Sequence, residues 1–310
     1  MDIKSNFTFA GTVDAPPPPF PEFPGEDLGP LSALLGTWKG EGFNVIWRPD
    51  HVAGNPSQDR FLMLSRTIDT IEFEEIPGPI PNRGFLQGDI DMFGVTYLQK
   101  ISDAVTGNGL HAEPGVWAVV PATTHPPEPH TVVRMASIPH GTVILAQGTA
   151  MQGSGVPPIP DNNILPFPIG DPGHPITFPE QELANPTAFR TPPNEMTGVT
   201  QDMVNNPNSV LKNALAGQEI DSLVTLLVST SPAPVPGGGT ANTAFLQGVP
   251  QSVAANAEAK LVTAMIWIET VKGNPDFLQL QYTQTVLLNF NTLSWPHITV
   301  GTLRKLPPTP

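Results

Sequence analysis

"LSWPHITVGTLRK", Leu293–Lys305, is the stretch on which the reading of this chain turns. Its β-branched and apolar residues mark a strand, yet His297 stands where a valine would fill a wall without the cost of burying a polar group. A histidine so placed is either a core residue hydrogen-bonded to a neighbour or a ligand to something held inside the fold. The choice depends on the architecture around it.

Moving back along the chain, similar runs recur between turn signals. "KLVTAMIWIETV" (260–271) and "FLQLQYTQTVLLNF" (277–290) precede it, and "DSLVTLLVSTS" (221–231) reads as a returning strand. From Trp38 onward come "FNVIWR", "RFLMLSRTI", "TIEFEEI", "FGVTYLQKI", "GVWAVV", "TVVRMASI" and "TVILAQGTAM". Asn108-Gly109 and His140-Gly141 are turn dipeptides that separate them. No helices alternate with these runs, so a parallel sheet is not expected. About ten strands favour an all-β, antiparallel, up-and-down calycin-like barrel with room for one small ligand, and a two-sheet sandwich is the alternative.

Four segments follow from the texture. Residues 1–30 form a proline-rich N-terminal arm, unable to donate the ladder bonds of a central strand. Residues 31–151 hold the first part of the barrel, 152–256 a loop-rich insertion with a short helix and a strand, and 257–310 the C-terminal barrel strands. The short helix is expected in "NPNSVLKNALAGQ", with Asn208 or Ser209 as N-cap and Gly217 near its end. Leu28 to Leu35 is expected to form one or two helical turns suited to plugging a barrel, and the insertion is placed to lid a pocket.

Composition removes several function classes. The 39 prolines and 28 glycines argue against a helical fold, and the net charge of −14 argues against nucleic acid as a partner. With no cysteine there is no disulfide, thiolate metal site or cysteine nucleophile. The first residues lack the basic start and apolar segment of a secretion signal, and no run approaches the ~18 apolar residues of a membrane helix. The expectation is a soluble, cytoplasmic protein without a membrane partner, whose arm is compatible with a homo-oligomer. "PVPGGG" lacks the Gly-Lys-Ser/Thr ending of a phosphate loop, and no Gly-x-Ser-x-Gly elbow is present.

Among seven histidines, His51, His125, His130 and His174 fall in loop or turn sequence, while His111 and His297 lie beside strand runs. No pair has the helical spacing of a zinc motif. Strict alternation would put Trp295, His297 and Thr299 on one face. Arg134 interrupts an apolar run and reads either as an anion partner or, more commonly, as an ion-paired arginine.

Four segments in order resemble the nitrobindin family of haem-binding β-barrels, whose architecture is like that of fatty-acid-binding proteins. They are "GTWKGEG" (36–42), "LHAEPGVW" (110–117), "PHGTVILAQGTA" (139–150) and "HITVGTLRK" (297–305). The resemblance implies haem b with His297 as its proximal iron ligand. It places His111, as the candidate catalytic group, and Leu110 on the distal side. "FNVI" (43–46) resembles the family's turn into its first strand, which brings Val45 and Ile46 near the cofactor, although Val45 stands where the family usually has threonine. Peroxidase-like or peroxynitrite isomerase-like chemistry on a peroxide or other small molecule is what the resemblance implies. The arm and the 152–256 insertion have no counterpart in the small members. A carrier of a small apolar ligand without iron is the alternative, and an assembly protein using its proline-rich segments as contacts is a third class.

Overall fold

Buried residues alternate with less buried ones along much of the long strands. The computed structural model describes residues 27–52, 59–231, 238–248 and 255–307. Ten antiparallel strands form a closed ring in it: β1 (Gly36–Pro49), β2 (Arg60–Glu75), β3 (Ile90–Asp103), β4 (Gly109–Val120) and β5 (Thr131–Ile138), followed by β6 (Thr142–Gly153), β7 (Ile220–Ser229), β8 (Glu258–Val271), β9 (Phe277–Phe290) and β10 (Leu293–Lys305). Each pairs with the next in chain order, and β10 returns to β1 with a register running from Trp38↔Lys305 to Ile46↔His297. Closure satisfies the edge strands of what would otherwise be an open sheet, which settles the barrel over the sandwich.

Two sequence runs, "RFLMLSRTI" and "TIEFEEI", are one continuous strand, β2, because nothing between them demands a turn. The His140-Gly141 turn joins β5 to β6 with Gly141 at φ 110°, whereas the β3–β4 loop places its positive φ at Gly107 rather than Gly109. The expected helix is Ser209–Ala214, following Asn208, with Gly217 at φ 78° beyond it. β7, from within the 152–256 stretch, is a stave of the barrel between β6 and β8. Most of the proline-rich arm lies outside the described residues.

Strands β1 to β6 and β7 to β10 all contribute to the apolar interior, including Trp38, Phe73, Trp117, Leu226, Leu280 and Leu303. A 3₁₀ turn, Gly29–Leu34, closes one end, with Leu31 and Leu34 fully buried and the Trp38 indole N–H donating to the Leu34 carbonyl at 2.6 Å. This is the expected plug.

A second apolar cluster lies outside the barrel wall. Phe43, Val45 and Trp47 of β1 and Ile298 and Val300 of β10 meet Ile159, Ile164, Val204 and Leu211 from the stretch between β6 and β7. That stretch is loop, yet its backbone is anchored: the Arg190 guanidinium donates to the carbonyls of Glu180, Glu182, Leu183 and Asn185, and the Trp47 indole donates to the Ile164 carbonyl at 2.8 Å. One arginine thus satisfies four acceptors that burial would otherwise orphan. This part of the insertion clads the wall instead of lidding the bore.

Candidate ligand cavity and its three imidazoles

The barrel end opposite the 3₁₀ turn holds a cavity of about 340 Å³, within the size range of small-molecule sites. Ile46, Met63, Ile101, Leu110, Val286 and Leu288 supply apolar wall, and three histidines, His111, His140 and His297, face into it. Arg48 and Pro49 stand where β1 leaves the ring, and Leu246, from the short helix Ala244–Gln247, also borders the space.

His297 is placed by the seam. It pairs with Ile46 of β1 and Val286 of β9, both cavity residues, at the last position where β10 follows β1. Pro296 precedes it and has no N–H to extend the ladder. Burial, aided by the nearby His111 and His140, pushes the His297 imidazole down to about 3, so it is neutral across the physiological range. Its ring is walled in by protein but keeps part of its surface open to the cavity.

Trp295 does not join it. Against the expectation from alternation, the indole leaves the cavity face and packs in the outer cluster, stacked on Phe290 at 4.7 Å and 5.4 Å from Trp47. Beyond the β1 seam the strand end still pairs with β9 and takes Phe167 and Pro168 as its other partner, and there Trp47, Phe178 and Phe290 receive the indole. Thr299, two residues the other way, stays in the cavity wall. Val45 is likewise an outward residue in the outer cluster, while its neighbours Asn44 and Ile46 face the cavity.

On β4, His111 and Leu110 both border the cavity, which strict alternation forbids. The register passes from Ile101↔His111 to Ser102↔Gly109, so Leu110 is a bulged residue and the strand turns both side chains toward the bore. His111 Nε2 lies 3.1 Å from Glu113 Oε2. Glu113 is fully buried, and its other oxygen accepts from the Tyr97 hydroxyl and the Arg134 guanidinium. Burial alone would raise this carboxyl, but the Arg134 charge and the His111 and Tyr97 hydrogen bonds override it and hold it down at about 2. Arg134 is therefore the ion-paired arginine. It also donates to Gln284 at 2.6 Å and to Tyr97 at 2.9 Å, and it is not part of the cavity wall.

A second buried carboxyl has the opposite fate. Asp69 accepts from the Tyr282 hydroxyl, which in turn accepts from Gln99, but among the described residues it has no salt-bridge partner. Burial raises it to about 6 against its hydrogen bond from Tyr282. Gln99, Tyr282 and Gln284 line the cavity as well, so these linked polar groups form its floor. Gly301 makes this floor buildable: a Cβ there would fall 2.5 Å from the Tyr282 ring.

His297, His111, Ile46, Leu110 and Thr299 thus surround one space, and Val45, Trp295 and Arg134 do not. Sequence reasoning passed over His140, which sits in the hairpin turn at the cavity rim with its ring centroid 6.4 Å from that of His111. Its signal was present in the "PHGT" turn, whose neighbouring strand ends at Ile138 in the same wall. Among the described residues, no group of three metal-ligating side chains is arranged to hold a metal ion, and no helix is long and apolar enough to cross a membrane.

No family model matches the chain, and no curated protein matches it. Among solved structures, the crystal structure of Rv2717c from M. tuberculosis is similar to this chain, with 14% sequence identity, a TM-score of 0.41, and coverage of 89% of this chain and 95% of that one.

Proposed function

We propose that the barrel binds haem b in this cavity through the His297 imidazole. The observation that carries the reading is a neutral imidazole, open to an enclosed and mainly apolar space, on a rigid strand at the barrel seam. Iron requires an unprotonated nitrogen, and burial keeps this one unprotonated at any ordinary pH. A single axial histidine does not need a three-residue metal cluster.

The donor set also suits the rest of the group. Ile46, Val286 and Leu288 offer apolar contact around His297. Arg48, at the rim and 44% exposed, pairs with Asp50 at 3.5 Å and would have to exchange that partner to meet a carboxylate of the group, a role that Arg134 is too deeply engaged to fill. His111 is the cavity group able to exchange a proton with a bound small molecule. Bound haem would supply a redox-active iron with a position open to a small molecule.

Adding haem to purified protein should give a Soret band that His297→Ala abolishes or shifts. An unchanged spectrum in the variant would remove the ligand assignment. The second reading, a carrier of a small apolar molecule without iron, is favoured by the mainly apolar surface of the wall. It predicts protein that takes up no haem and enhances the fluorescence of an apolar dye.

A further inference from the structure

We infer that Glu113 fixes His111 as a base, so that the cavity is a site for a small protic ligand whose O–H proton passes to the His111 ring. The inference rests on the reading that the cavity binds a ligand, but not on iron. A carboxylate only accepts hydrogen bonds, so the nitrogen facing Glu113, Nε2, carries the proton, and Nδ1 of neutral His111 keeps the lone pair. The carboxylate is itself held: Arg134 and Tyr97 occupy Oε1 and leave Oε2 to the imidazole.

The three cavity imidazoles are not equivalent. Only His111 has a carboxylate partner, while burial and the neighbouring His111 disfavour charge on both His140 and His297. Glu113, Asp69, His140 and His297 are the titratable groups in electrostatic reach of His111, and Arg134 stands behind Glu113. Of the three, His111 is thus the imidazole placed with a carboxylate behind it. In the step itself the ligand's O–H bond breaks, its electron pair stays on the oxygen, and the proton bonds to Nδ1. The resulting imidazolium keeps its Nε2–H on Glu113, and the ligand anion is paired beside it. Glu113 is a positioning residue, in the manner of the carboxylate that orients a catalytic histidine.

The test uses ligand-free protein with 4-nitrophenol as probe, observed below the phenol's own pKa, where the free dye is colourless. Wild type should bind it with its ionisation midpoint lowered by about one pH unit, a tenfold gain in ionised fraction. His111→Gln, which leaves the Arg134–Glu113 pair intact, should lose that gain. Glu113→Gln can donate to the ring and should shift the imidazole from the Nε2–H to the Nδ1–H tautomer, read from the histidine nitrogen resonances, and lose the gain as well. Absence of binding to wild type, binding without ionisation, ionisation preserved in His111→Gln, or an Nδ1–H tautomer in wild type would each overturn the proposal. A missing Soret band in the haem experiment would leave it standing.

Discussion

At the end of the barrel closed by the 29–34 turn, Trp38, Phe73, Trp117 and Leu303 fill the bore; at the other end, on the same four strands, Ile46, Met63, His111 and His297 stand around open space. Strand pairing thins toward the cavity, where β2 meets β3 only from Thr67 on and β4 meets β5 only from Gly115 on, but pairing alone does not set what fills the bore. Side-chain volume does, together with the polar floor of Tyr282, Gln99 and Gln284 that separates the two. One barrel thus carries a stabilising end and a receiving end. The contrast implies that equal substitutions will have unequal costs at the two ends.

The largest effect is expected in the layer between them. Glu113→Ala would leave the buried Arg134 charge without its partner and should cost about 3–5 kcal/mol in denaturant unfolding. A loss no greater than that of a surface residue would mean that the two ends do not share a load-carrying layer.

Next, Leu34→Ala in the packed end should cost about 3 kcal/mol, because neighbours on all sides prevent collapse into the void. The two buried carboxyls then provide a comparison within the floor. Asp69 is raised from 3.8 to about 6 in the folded protein, so the folded state holds a proton that the unfolded chain has released between those values. Its contribution to stability therefore declines as pH rises through that window, by on the order of 2–3 kcal/mol. Glu113, depressed to about 2 from 4.5, acts in the opposite sense: its contribution is complete above 4.5 and is lost as pH falls through about 2. Subtracting the pH–stability curve of Asp69→Asn from that of wild type should isolate the Asp69 decline, and parallel curves would refute its raised pKa.

The smallest effect should come from the cavity wall. Leu288→Ala is expected to cost about 1 kcal/mol, since one side of that residue already faces open space. Denaturant midpoints showing Leu288→Ala as costly as Leu34→Ala would erase the distinction between the ends.

Legibility in the sequence differs from strand to strand. β8, β9 and β10 were legible because long β-branched runs bounded by turn residues leave few alternatives. His297 and His111 were legible as polar interruptions beside such runs. Trp295 departs from parity because the strand changes neighbour there, from β1 to Phe167 and Pro168, and the indole joins the outer aromatic cluster. Leu110 reached the cavity through a bulge that no residue of "LHAEPG" announces. Arg134 was ambiguous by itself, and its partner Glu113 lies 21 residues upstream on the neighbouring strand.

Pattern and composition alone determined an antiparallel all-β fold, the apolar turn before it and the short helix of the insertion, because side-chain period, turn chemistry and missing ladder donors act locally along the chain. Only the tertiary structure decided that the sheet closes, which end is filled, that part of the insertion clads the outer wall, and that His140 joins His111 and His297 around one cavity. Those outcomes depend on the register between distant strands and on the volumes that meet when the ring closes, quantities that no single segment carries.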